Sequence, residues 1–337
     1  MLLSTLRGST RQKAKGQRPS ALRQRLSELP VAAPIYTMFG LCRLLPIGVA
    51  SALGGWIGRT LGPRVGTSRR ADANLKLVLP ELSTAERRRI IRGMWDNLGR
   101  VITEFPHLAA LFRREMRAPN RIRIEGRENL DAARAGGRGV VLAVTHFGNW
   151  EISPIAAAML GLPLTAFYRP LKNRLVDALL RRIREALGTR LLEKRMEGSG
   201  AKQALSILRD GGVLGMFVDQ RYTGGLDLPF FGRDALTSPA AVALAYHLRC
   251  DVLPVRFERR GGARFDVVLE PPLPMPRTGD RAADIEAATR ALNERIEAWI
   301  RARPEQWLWL HKRWHHPPPR KAKYRHLERE QAAPPAG

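Results

Sequence analysis

Cysteine and acidic residues are both scarce in this chain of 337 residues. Its two cysteines, Cys42 and Cys250, lie far apart and suggest neither a disulfide framework nor a thiolate metal site, and a reducing cytosolic milieu fits them. Asp and Glu number 31 against 57 Lys and Arg, a net charge of +26. An excess of that size points to a polyanionic partner, which composition leaves open among nucleic acid, anionic lipid and an acidic carrier protein. Several catalytic signatures are missing too. There is no G-x-S-x-G nucleophile elbow, no Walker sequence, no dinucleotide fingerprint and no H-E-x-x-H metalloprotease motif, which argues against the enzyme classes built on them. No internal repeat is visible.

A long uninterrupted apolar run is also lacking. Val31 to Gly62 is mostly Ala, Leu, Ile, Gly and aromatics, but Arg43 and Arg59 break it, and the uncharged stretch from Leu44 to Gly58 falls short of the ~18 residues of a clean spanning helix. It lies too far from the N-terminus for a cleaved signal peptide. The expected organisation is a basic disordered arm over 1–30, with Arg7, Arg11, Lys13, Lys15 and Arg18 in its early part, then a membrane anchor over 31–62. That anchor is either a tilted span with Arg43 snorkelling or a helical pair lying in the interface. The alternative is a buried helical hairpin. The main domain then runs over 63–316, and a basic tail stiffened by Pro317, Pro318 and Pro319 occupies 317–337 and reads as disordered.

Periodicity fills in the middle. Leu82-Ser83-Thr84 followed by Glu86 reads as a helix start, and Ile90, Ile91, Met94, Trp95, Leu98, Val101 and Ile102 recur at helical spacing. From Arg121 the pattern changes. "RIRIEG" alternates like a short strand, and "GVVLAVTH" is a continuous apolar run of the kind found in buried parallel strands. Helical "EISPIAAAMLG", strand "LTAFYRP", helical "NRLVDALLRRIREALG" and "GAKQALSILRDGG", strand "VLGMFVDQ", helical "SPAAVALAYHLR" and the hairpin "DVLPVRFERR"/"ARFDVVLEPP" follow, with a last helix from Ile285 to Arg303. The alternation predicts an α/β fold, a mostly parallel mixed sheet flanked by helices with antiparallel strands late in the order. Ligands of such sheets sit at the carboxyl ends of the strands, where His146, Arg169 and Asp219 all fall.

Histidine at a strand end with an acid one turn into the next helix suits acyl transfer. The imidazole of His146 would take a proton from an attacking alcohol, and a carboxylate on its other nitrogen, here Glu151, would fix the tautomer and favour the imidazolium. Gly148 would permit a tight turn, and Asn149 could donate to substrate or oxyanion. His311 and His315 could share a helix face, but no third metal ligand is nearby, and no metal is expected. Trp307, Trp309 and Trp314 interleave with Lys312 and Arg313, a composition that could stack bases or meet lipid headgroups; no nucleic-acid module accompanies it, and none is expected as partner.

Read in order, "RRADANL", "THFGNWE", "FYRPLKN", "VDQ", "LPFFG", "SPA" and "PEQWLWLHKRW" resemble the bacterial lipid A late acyltransferases, lauroyl or myristoyl transferases within the lysophospholipid acyltransferase superfamily, from Ser68 to Trp314. The resemblance implies a glycerolphosphate acyltransferase-like fold and direct transfer of a fatty acyl chain to a hydroxyl of a lipid A precursor. The donor would be an acyl carrier protein thioester or acyl-CoA, with no cofactor. The same resemblance places the reaction at the cytoplasmic face of the bacterial inner membrane and puts the catalytic dyad on His146 and Glu151. Arg169, Asn149, Gly148, Asp219, Gln220 and Arg221 become the substrate-binding candidates. The expected partners are acyl carrier protein, anionic membrane lipid and a glycolipid acceptor, bound by a monomer. Two other readings stay open: an acyltransferase for another membrane lipid (a phosphatidylinositol mannoside, a lysophospholipid or an ornithine lipid), or a non-catalytic basic membrane-binding module.

Overall fold

The computed structural model describes residues 21–193 and 199–314. The expected tail and most of the expected basic arm lie outside that range, although helix α1 (Ala21–Leu44) starts inside the stretch assigned to the arm. Four further helices precede the sheet: α2 (Ile47–Leu61), α3 (Ser68–Val78), α4 (Thr84–Glu104) and α5 (Leu108–Glu115). The start of α4 is the one its sequence predicts. Ser83 Oγ accepts from the Glu86 amide while the Glu86 carboxylate accepts from the Ser83 amide at 2.8 Å, so two otherwise orphaned N–H groups are satisfied.

The spanning form of the anchor is not found. Pro46 follows the end of α1 and splits the apolar region into two helices, and no helix among the described residues is long and apolar enough to cross a membrane. Instead α2 lies against α4 along a seam of glycines. A methyl group placed on Gly99 would come within 2.1 Å of the Gly54 carbonyl oxygen, and one on Gly58 within 2.0 Å of the Trp95 carbonyl oxygen, so the backbones themselves touch. That burial uses one side of α2 only. Val49, Leu53, Trp56, Ile57 and Leu61 remain exposed on the other.

The body is a seven-stranded sheet. In chain order come β1 (Ile122–Glu125), α6 (Arg127–Arg134), β2 (Val140–Val144), α7 (Ser153–Met159), β3 (Leu164–Tyr168), α8 (Arg174–Glu185), β4 (Arg190–Glu193), α9 (Ser199–Arg209) and β5 (Val213–Phe217). Then follow the hairpin β6 (Leu226–Phe230) and β7 (Arg233–Thr237), α10 (Ala240–Leu248), β8 (Asp251–Gly261), β9 (Arg264–Leu269) and α11 (Arg281–Ala302). The strand order is β1-β9-β8-β2-β5-β3-β4. β8, β2, β5, β3 and β4 run parallel, β9 returns antiparallel to β8, and β1 follows β9. All five residues of β2 are buried, because helices cover both faces of this central strand. Core clusters on the two sides of the sheet divide its side chains: Val141 and Ala143 point to one, Leu142 and Val144 to the other, as alternation along a strand requires.

Among the strands, β4 and the β6–β7 hairpin carry no sequence expectation. β4 is a short edge strand, and β6–β7 is a separate hairpin turning at Phe231 and Gly232, both with positive φ (58° and 67°), the backbone that a two-residue hairpin turn demands. Phe231 is buried, and its amide donates to Glu297 at 2.6 Å, which holds a non-glycine residue in this conformation.

The glycine seam yields a stability test. Gly99→Val forces a side chain into the Gly54 backbone and should cost at least about 1–3 kcal/mol, read as a lowered urea midpoint. Gly48→Ala, on the same helix pair but with nothing within 4 Å, should be neutral or stabilising.

Candidate active site

Register explains why the central polar groups meet. β2 and β5 are adjacent and parallel, with Val144 opposite Phe217, so His146 and Asp219 each stand two residues beyond a paired position and emerge side by side at the carboxyl edge. His146 donates its backbone N–H to Asp219 Oδ2 at 2.8 Å, and its Nδ1 lies 3.0 Å from Oδ1. Trp307 Nε1 donates to Oδ2 at 3.0 Å. The Asp219 carboxylate is fully buried. Burial by itself would raise its pKa, but the attraction of His146 and the hydrogen bonds it receives outweigh that and hold the carboxyl far below the usual carboxylate range.

With Nδ1 bonded to a carboxylate, the proton of the neutral ring sits on Nδ1 and Nε2 is left as the base. Nε2 faces outward, 3.4 Å from the side-chain nitrogen of the exposed Gln220. Phe217 stacks on the ring at 4.4 Å between centroids, and Trp150 and His311 meet it edge-on at 5.1 Å. These contacts fix the imidazole plane, while its side chain keeps 15% exposure.

Glu151 does not fill the role expected of it. The loop turns at Gly148 (φ 57°) and winds into a short 3-10 turn, Trp150–Ile152, which aims Glu151 at α8. There Arg184 grips it bidentately, Nη2 to Oε1 at 2.6 Å and Nε to Oε2 at 3.0 Å, and Trp150 Nε1 donates to Oε1. The carboxylate on His146 is therefore Asp219, expected as a substrate-binding residue, and Glu151 forms an adjacent half-buried ion pair.

Two of the remaining candidates also have structural duties. Gly148 N–H donates to the Gln306 carbonyl and Asn149 N–H to the Phe257 carbonyl, so both loop amides are already engaged within the protein. The Asn149 side chain accepts from the Glu151 amide and donates to Glu104 Oε2 at 2.7 Å. A side chain at Gly148 would strike the Phe257 carbonyl at 1.6 Å, which explains glycine there. Arg169 is exposed just past β3. With β5 between β3 and β2, its backbone stands about 10 Å from the His146 strand, at the rim of the same edge. Gln220 is brought to His146, and Arg221 follows it on the same loop.

The aromatic and basic C-terminal segment is core, not a surface for bases or headgroups. Trp307, Trp309 and Arg313 are at most 1% exposed and Trp314 is buried. Asn74 of α3 donates to the carbonyls of Trp309 and His311, and Phe230 and Phe231 of the β6–β7 turn pack against the tryptophans. Sequence reading missed this role for Trp307. The donor atoms of His146, Asp219 and His311 lie within 4.8 Å of one another, a spacing a metal ion could bridge, yet three N–H groups already occupy the two oxygens of Asp219. His315 lies outside the described residues.

Below this edge an apolar cavity opens between α7 and the sheet. It encloses about 490 Å³, part of it open to solvent. Val144 and Phe217 line the end next to His146, Ala156 and Ala157 the α7 wall, and Ser153 is the one hydroxyl among the lining side chains. Gly215 keeps the middle of the cavity wide, since a methyl there would sit 3.3 Å from Leu164.

Known proteins resemble this chain over most of its length. Residues 30–316 match the family described as bacterial lipid A biosynthesis acyltransferase. A lipid A biosynthesis acyltransferase of Haemophilus influenzae is 26% identical over 80% of this chain and 83% of its own, and a lipid A biosynthesis palmitoleoyltransferase of Escherichia coli is 29% identical over 82% and 90%. A phosphatidylinositol mannoside acyltransferase of Mycobacterium tuberculosis is 29% identical over 57% and 59%.

Removal of His311 gives a pH test of the site. Burial disfavours its charged form and pushes its pKa down to about 4. The unfolded chain takes up this proton near pH 6.5 and the folded one only near 4, so folding stability should fall as pH drops through that window, by up to about 3 kcal/mol. In His311→Gln that part of the slope should vanish while stability at pH 8 changes less, as measured by urea unfolding at a series of pH values.

Proposed function

Because the chain belongs to the bacterial lipid A biosynthesis acyltransferase family, we propose that it carries a fatty acyl chain from a thioester donor to a hydroxyl of a lipid A precursor, with His146 as general base. The single observation that carries this reading is the His146–Asp219 pair at the carboxyl edge of the sheet, joined to the apolar cavity by Phe217, which stacks on the imidazole and lines the cavity. An aliphatic hydroxyl is too weak an acid to ionise beforehand, so its oxygen attacks the thioester carbonyl as Nε2 of His146 takes the proton. Asp219 stabilises the imidazolium through Nδ1. Collapse of the tetrahedral intermediate breaks the C–S bond, and the proton passes from Nε2 to the departing thiolate. No residue is acylated. The Gln220 side chain, beside Nε2, is the donor best placed to meet developing charge, and Arg169 and Arg221 border the same edge.

The cavity beneath His146 suits the acyl chain of the donor, because its walls offer hydrocarbon along the length that a thioester seated at Nε2 would need to bury. Glu151, neutralised by Arg184, serves as a positioning residue: its turn and Trp150 hold the imidazole from one side. An acyl carrier protein thioester is the favoured donor. A chain of net charge +26 attracts an acidic carrier, and raised salt would weaken that docking. All groups of the site come from one chain, so a monomer suffices. The exposed apolar sides of α1 and α2 support work at a membrane surface, with the helices lying on the bilayer rather than through it, and an acyl carrier protein donor would put that surface on the cytoplasmic face of the inner membrane.

A second acceptor class has one observation in its favour, the likeness to the mycobacterial phosphatidylinositol mannoside acyltransferase. The test offers purified protein an acyl carrier protein thioester with either a tetraacylated lipid A precursor or a phosphatidylinositol mannoside, and follows product by mass spectrometry. Transfer to the lipid A precursor is expected, with His146→Ala inactive and Asp219→Asn slowed on the order of 10³–10⁴-fold through loss of the working tautomer. Product only from the mannoside would replace the acceptor, and full activity in His146→Ala would end the mechanism.

A further inference from the structure

A second cleft lies away from His146, where α2, α4, the β8–β9 turn and the segment after α11 come together. It encloses about 850 Å³, part of it open to solvent, and shares no lining residue with the apolar cavity. Six guanidinium groups line it, from Arg59, Arg92, Arg100, Arg259, Arg260 and Arg303. Only two lining side chains, Asp96 and Glu305, are acids. Arg259 is the fixed base, paired with buried Glu104 at 2.6 Å. Asp96 is shared between Arg59 at 2.8 Å and Arg100 at 2.5 Å, so one carboxylate serves two cations. Arg92 has no acidic partner among the described residues. Arg260 and Arg303 reach Asp266 and Glu258 but keep side-chain exposures of 39% and 58%.

What borders the cleft indicates its ligand. Trp56, one turn before Arg59 on α2, is 54% exposed, and Leu53 and Ile57 beside it are 43% and 41% exposed. An apolar ridge next to a pocket of forked cationic donors is the arrangement a bilayer surface presents in reverse, with hydrocarbon just below a layer of phosphates. Guanidinium matches phosphate oxygens two at a time. We propose that this cleft binds the headgroup phosphate of an anionic phospholipid while the Leu53–Trp56–Ile57 ridge enters the interface. The site also reaches the catalytic loop. Asn97 and Gln306, both lining the cleft, hold the Gly148 carbonyl and amide respectively, at 2.8 and 2.9 Å.

Flotation of the full chain with vesicles of phosphatidylcholine, alone or with phosphatidylglycerol and free of any glycolipid acceptor, tests the proposal. Binding should require phosphatidylglycerol. Arg92→Gln with Arg303→Gln should weaken it roughly tenfold or more, two interfacial charges being lost, whereas Arg123→Gln with Arg127→Gln, on β1 and α6, removes equal charge and should change it less than about twofold. Thermal unfolding checks that each pair folds; should the first pair fail to, Trp56→Ser is read in the same assay and should also weaken binding. Equal loss in the two arginine pairs, or retained binding in Arg92→Gln with Arg303→Gln, overturns the site. Inorganic phosphate that binds the cleft by phosphorus NMR without competing with vesicles would make it a free-phosphate site and overturn the lipid assignment.

Discussion

A buried carboxylate organises this protein. Asp219 sits at the end of a central strand with no solvent to share its charge, and an anion so placed persists only when hydrogen-bond donors surround it. Three N–H groups do so: two come from His146 on the neighbouring strand and one from Trp307, from a segment some ninety residues later in the chain. Much of the remaining architecture supplies those donors. The Phe231–Gly232 turn presents phenylalanines to the tryptophan cluster, Asn74 ties down the backbone around Trp309 and His311, and Trp307 and Leu308 pair with the strand-end loop at Phe147 and His146. The charge that organises the fold also selects the tautomer of the base.

A second buried acid braces the same loop from behind. Glu104, 1% exposed, accepts from Arg259, Ser51 and Asn149, and so joins α4, β8, α2 and the turn after His146. Together with the glycine seam between α2 and α4, this makes the N-terminal helices part of the scaffold that holds the His146 loop rather than an appendage. An apolar stretch that reads as an anchor can thus bury one side against the body and leave the other for the surface. The interrupting arginines reflect that division: Arg59 caps the polar side of α2 while Trp56 and Ile57 stay on the apolar one.

Sequence patterning revealed the sheet because its strands are buried on both faces and therefore read as continuous apolar runs punctuated by turn residues. β4 escaped because "RLLE" is too short to show a period, and the β6–β7 hairpin because its turn uses phenylalanine at positive φ, where glycine or asparagine would be the visible signal. At the site, His146 and Asp219 were both legible as strand ends. Their partnership was not, since adjacency in a parallel sheet follows from strand order, which local sequence does not encode. Proximity along the chain favoured Glu151, and the left-handed turn at Gly148 sends that side chain elsewhere. Trp307 looked like surface for a related reason: a segment rich in Lys, Arg and Trp reads as exposed until a buried carboxylate is found to need its indole N–H. Parallel register offered the missing clue, because residues at equal distance past paired positions stand side by side.

The central claim is that Asp219 fixes the proton of neutral His146 on Nδ1 and leaves Nε2 as the base. Nitrogen-15 NMR of the imidazole in histidine-labelled protein, assigned by comparison with His146→Gln and recorded at a pH where the ring is neutral, measures this directly. The account predicts a protonated Nδ1 and an unprotonated Nε2 in the wild type, and a changed tautomer balance in Asp219→Asn. A wild-type signal with the proton on Nε2, or one that Asp219→Asn leaves unchanged, would contradict it.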